Sequence, residues 1–102
     1  GWALKYITHN QTEEMCLLGV LYDAWVLQHA KVQTLPVIRT ALMKDGETLQ
    51  YVKKQTPYIC MLAIKSDPHS LRYVKEQSLE LCLKAYKKDK DTLVYIDPEL
   101  KD

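Results

Sequence analysis

The sequence predicts an all-α fold, in which short helical hairpins of 22 residues stack into an α-solenoid-like array. Three observations predict it. The stretch "LQYVKKQTPYICMLAIKSD" from Leu49 returns 22 residues later as "LRYVKEQSLELCLKAYKKD". Whole rows of residues keep that period: Leu27, Leu49, Leu71 and Leu93, and likewise Gln11, Gln33, Gln55 and Gln77. Behind each glutamine, apolar residues recur at i, i+1, i+4 and i+5. At 100° per residue these fall within about 140° on a helix, whereas a strand would scatter them over both faces. Such self-similarity marks units that cannot bury their apolar faces until a neighbour covers them.

The register divides the chain into copies at about 1–23, 24–45, 46–67 and 68–89, with a half-copy at 90–102. The first copy carries one extra residue near His9 and Asn10, since Leu4 lies 23 before Leu27. In each copy the second helix is the clearer one. Thr12, Thr34, Thr56 and Ser78 are N-cap residues, and Pro36 and Pro57 follow where a missing N–H costs nothing. Ile59, Cys60, Ala63 and Ile64 then form the apolar face, as do Leu81, Cys82, Ala85 and Tyr86. Gly19, Ala41, Ala63 and Ala85 are small residues that let another helix approach closely.

The first helix of each copy is shorter. Asp23, Asp45, Asp67 and Asp89 are its caps, with Pro68 after Asp67. Leu49 with Val52, and Leu71 with Val74, are apolar pairs at i, i+3 that predict a helix of about eight residues. A helix this short is unstable alone, because nucleation is costly, so neighbours must hold it. The glutamine of each copy falls in the turn between helices, where its amide can satisfy backbone groups left open at helix ends.

At 102 residues the chain is one domain's worth, opening at Gly1 and closing on a half-copy, from which we expect it to be part of a longer protein. Through Tyr51 it carries 4 basic and 5 acidic residues, and afterwards 10 and 8, which disfavours nucleic-acid binding. The longest apolar run, "CLLGVLY" from Cys16, is far short of the ~20 residues of a membrane span, so no membrane association is expected. Cys16, Cys60 and Cys82 lie 44 and 22 apart, on different layers of a stack. They read as reduced, buried thiols of an intracellular, cytoplasmic protein rather than as disulfides or zinc ligands.

"ALKYI…NQTEEMCLLGV" together with "LQYVKKQTPYICMLAIK" resembles the tandem repeats of the domain-of-unknown-function 4116 (DUF4116) family. The likeness runs from Trp2 to about Ile96 and rests on the Leu-x-Tyr-Val core, the Gln-Thr turn and the apolar second helix. The second copy departs most, with His29 in the tyrosine slot and Ile38 in the cysteine slot, and Asp97, Pro98 and Glu99 stand where another Gln-Thr turn is due. The resemblance imports no activity. It implies an intracellular, modular, partner-binding role.

No catalytic, cofactor or metal residues are expected. Gly1, Gly19 and Gly46 form no phosphate loop, and Glu13 with Glu14 suit the first turn of a helix. The expected function is a non-enzymatic interaction scaffold with a protein or peptide partner, the alternative being a structural spacer or self-association segment. Trp2 and Trp25 occupy a slot that holds Glu47, His69 and Asp91 in later copies, which makes them candidate partner anchors. Lys31, Lys53 and Lys75 share another slot and complete the candidate binding residues.

Overall fold

In the computed structural model, which describes residues 12–101, α-helices and 3-10 helices alternate and no strand occurs among the described residues. The α-helices are α1 (Glu13–Tyr22), α2 (Leu35–Lys44), α3 (Pro57–Ser66), α4 (Leu79–Lys88) and the short α5 (Pro98–Lys101). Between them lie the 3-10 helices η1 (Ala24–His29), η2 (Gly46–Tyr51), η3 (Pro68–Tyr73) and η4 (Lys90–Tyr95). The described residues are all-α, as the period-3.6 pattern predicts.

Helices α1, α3 and α4 begin as the cap residues dictate. The hydroxyls of Thr12, Thr56 and Ser78 accept from the N–H groups of Met15, Ile59 and Leu81, each at 3.2 Å. Thr34 is the exception: it makes no such bond, and its buried hydroxyl oxygen has no partner. Glu13 and Glu14 lie in the first turn of α1, at the positive end of the helix dipole.

One aspartate closes each α-helix and opens the next 3-10 helix. The N–H of Asp45 donates to the Ala41 carbonyl at 2.9 Å, and Asp23, Asp67 and Asp89 do the same to Gly19, Ala63 and Ala85. Their extended backbone, with φ near −154° at Asp45, turns the chain out of the helix. The Oδ1 atoms of the same four residues then accept from the N–H groups of Trp25, Glu47, His69 and Asp91.

The element that follows corrects the expected eight-residue helix: after each of these four aspartates it is a six-residue 3-10 helix. The reason is in the spacing. Gly46, Leu49 and Val52 are all buried, as are Ala24, Leu27 and Ala30. A repeat of three residues per turn eclipses i, i+3 and i+6 on one face, whereas an α-helix would rotate the third member away. Val52 and Val74 then adopt extended backbone and stop the helix.

Each α-helix from α1 to α4 packs on the next, each 3-10 helix packs on the next, and the core lies between these two layers in a body of 48 × 20 × 17 Å. Leu27, Leu49, Leu71, Leu42, Ile64, Val20 and Val37 are fully buried there. Ala41, Ala63 and Ala85 are buried too, which fits their reading as close-approach positions. A close approach is also made at Gly46, where a Cβ would lie 2.5 Å from the Ala63 carbonyl oxygen. Leu93 departs from its row: it is 46% exposed, because no further unit covers it among the described residues.

Candidate functional site

Among the described residues, no three His, Cys, Asp or Glu side chains converge on a position that could hold a metal ion. Cys16, Cys60 and Cys82 are buried and take part in no disulfide among the described residues. Burial pushes the Cys60 thiol up, and burial with the nearby Asp97 carboxylate does the same to Cys82, so both stay neutral. No described helix is long and apolar enough to cross a membrane.

The slot shared by Trp25 and His69 has a structural use. The Trp25 indole N–H donates to Asp45 Oδ2 at 2.9 Å, and its ring meets Tyr51 edge-on at 5.5 Å between centroids. Two registers later, His69 lies 2.8 Å from Asp89 Oδ2 through Nε2 and 3.2 Å from the Tyr95 hydroxyl through Nδ1. In both cases the residue reaches the aspartate 20 positions on and the tyrosine 26 positions on, fastening one unit to the next. Glu47, an acceptor in the same slot, cannot serve Asp67 in this way and pairs with Arg72 at 2.6 Å. Trp25 is thus half-buried and engaged within the chain. Trp2 lies outside the described residues, and His29, in the tyrosine slot, is exposed.

The Asp89 carboxyl is held below the usual carboxylate range, first by the Asp91 backbone N–H and then by the hydrogen bond with His69. A depressed folded-state pKa contributes stability that is present above the unfolded value and lost as pH falls through the folded one. Thermal melts of the wild type and of Asp89→Asn should therefore differ most near neutrality. The gap should close as pH drops below the ordinary carboxylate range, and a gap constant with pH would exclude the effect.

The turn glutamines join the units through their backbones. Gln55 Nε2 donates to the Tyr73 carbonyl at 2.8 Å, and its Oε1 accepts from the Lys75 N–H at 3.0 Å. Gln33 does the same with Tyr51 and Lys53, and Gln77 with Tyr95 and Asp97. This geometry brings Lys53, Lys54 and Lys75, with Glu76, around one groove that also includes Gln55, Thr56 and Ser78. Lys31 does not line it. Of the four candidate binding residues among the described ones, Trp25, Lys31, Lys53 and Lys75, only Lys53 and Lys75 line this groove.

A surface that sequence reading passed over lies on the outward side of the α-helices. Leu18, Leu21 and Tyr22 of α1, Met43 of α2 and Leu83 of α4 are exposed. Between α3 and α4, Met61, Lys65, Glu80, Leu83, Lys84 and Lys87 line a groove of about 490 Å³. The signal was present: Met61 and Leu83 share a register position, and both fall off the i, i+1, i+4, i+5 stripe that enters the core.

Residues 56–101 match the family model for a domain of unknown function, DUF4116. The matched stretch covers α3 through α5, about two of the 22-residue periods, and the model matches it once, not as tandem copies. It takes in the second Trp/His-slot fastening and the Gln77 turn. No curated protein and no solved structure matches the chain.

Proposed function

We propose that the chain is a segment of an α-solenoid-like helical-repeat array, with DUF4116-type units on both sides of residue 56, and that it serves as a non-enzymatic protein–protein interaction module. One observation carries the reading. The packing between units consumes the core stripe, yet leaves large apolar side chains on the outward α face, Met43 at 66% and Leu21 at 52% exposure. Contiguous exposed apolar surface marks partner contacts, and repeat arrays present such surfaces as extended faces. The half-buried, internally bonded Trp25 carries less of this role than its residue type suggests. An intracellular setting belongs to the same proposal and is supported by three buried cysteines that form no disulfide among the described residues.

The test uses the chain as bait, alone and with Leu21→Glu, Met43→Glu and Leu83→Glu combined. All three side chains are exposed, so the far-ultraviolet circular dichroism should persist while specific partners drop out of the capture. Unchanged capture by a folded triple variant removes the outward α face from the function.

A second reading, self-association, has its own observation. Leu79, Leu83, Tyr86, Leu93, Ile96 and Leu100 line an apolar groove at the C-terminal end of the described residues. The equivalents of Tyr86 and Leu93 in the preceding unit, Ile64 and Leu71, are fully buried under the next one. Sedimentation velocity across a concentration series decides: a dimer that grows with concentration supports it, and a concentration-independent monomer dismisses it.

A further inference from the structure

We propose that the groove between α3 and α4 receives an acidic amphipathic helix of a protein partner, a proposal that rests on the interaction-module reading. Its floor is apolar, from Met61 and the 46% exposed Leu83. Its flanks hold Lys65, Lys84 and Lys87 against a single acid, Glu80. None of the three lysine ammonium groups has an ion-pair partner among the described residues.

The fold accounts for only part of this charge. Lysines in a last turn offset the negative end of a helix, which covers Lys65 in α3 and Lys87 in α4. Lys84 lies before the last turn of α4 and has no such duty. Lys88 shows what structural employment looks like here: its Nζ donates to the Lys65 carbonyl at 2.8 Å, and Lys44 does the same to Leu21. Lys65, Lys84 and Lys87 carry no such bond and border apolar atoms instead. An apolar floor with a like-charged rim selects a partner with apolar residues along one face and carboxylates beside it.

A helix fits the site better than an extended strand. Strand addition needs an open sheet edge, and the described residues contain none. Helices α3 and α4 are ten residues each, so the groove is roughly 15 Å long and takes about three turns of a docked helix. Glu80, Leu83, Lys84 and Lys87 lie at i, i+3, i+4 and i+7, a single face of α4. Met61 supplies an adaptable thioether against whichever apolar anchor enters.

The experiment measures fluorescence anisotropy of labelled model peptides of about 14 residues, long enough for three turns and more. One peptide has leucines at i, i+3, i+4 and i+7 with glutamates beside them. The second replaces every glutamate by lysine, and the third places proline at its centre. The acidic helix should bind the intact chain, weaken with added salt, and bind the combined Lys84→Glu, Lys87→Glu variant about tenfold less tightly or worse. The basic peptide should prefer that variant, a swap that mere loss of folding cannot produce, and the proline peptide should bind poorly to both. Equal binding of acidic and basic peptides, indifference to the charge reversal, or no binding at all would overturn the proposal. So would displacement of the acidic peptide by a single-stranded oligonucleotide, which would assign the lysines to phosphates. The capture experiment with Leu21, Met43 and Leu83 stands apart from these readings, since two of its three positions lie outside this groove.

Discussion

Leu49→Ala is expected to destabilise the chain by about 2–5 kcal/mol, while Leu93→Ala, in the same register, should cost under about 1 kcal/mol. Both remove the same atoms from the same slot of the 22-residue period. The difference lies in what surrounds them. Leu49 is fully buried on η2, which packs against α2, α3, η1 and η3, so truncation leaves a cavity walled on several sides. Leu93 on η4 is 46% exposed and has water on one side already. For a domain of this size, a loss near 3 kcal/mol lowers the melting midpoint by roughly 10–25 °C. Total stability for such domains is only about 5–15 kcal/mol, so Leu49→Ala removes a large share of it. Melts followed by circular dichroism give both numbers. Equal losses at the two positions would mean that the leucine row is not the element holding the layers together.

That contrast shows where sequence reading succeeded and where it stopped. The leucine row, the α-helix stripe from Ile59 to Ile64 and the threonine and serine caps depend on local spacing and residue type, so they were legible before any coordinates. The 3-10 geometry was legible in principle. Gly46, Leu49 and Val52 repeat every third residue, and taking only the last two as a pair hid the period. The double duty of Asp23, Asp45, Asp67 and Asp89 escaped because each was read as a cap for the following helix alone, though its N–H also closes the preceding one. Trp25 was read as a candidate anchor from its residue type. What ties it to Asp45 and Tyr51 is contact between units at separations of 20 and 26, which packing decides and propensity does not. The outward α face was missed for a related reason. Leu21 and Met43 fall off the core stripe in a slot that holds Lys65 and Lys87 in later copies, a mark that shows only when the register is followed outside the apolar rows.

Long-range backbone pairing through a side chain gives the second large effect. Gln55→Leu is expected to cost about 2–4 kcal/mol, because it leaves two backbone groups without partners. The Tyr73 carbonyl loses its donor at 2.8 Å, and the Lys75 N–H loses its acceptor at 3.0 Å. The Cys60 thiol, 3.5 Å from the same Oε1, loses a weaker contact. Leucine matches glutamine closely in size, so the loss reports the amide and not a cavity. Gln55→Glu separates the two halves of the amide. Its carboxylate still accepts from Lys75 but faces the Tyr73 carbonyl oxygen with no hydrogen to give, which disfavours the charged form. The folded-state pKa of that carboxyl is then raised above its unfolded value, so protonation on acidification restores a donor. Relative to wild type, Gln55→Glu should recover stability as pH falls, whereas Gln55→Leu should keep a deficit independent of that titration. Denaturant melts of both variants from neutral to acid measure this, and parallel pH profiles would show that Gln55 does not link its unit to the next through the Tyr73 carbonyl.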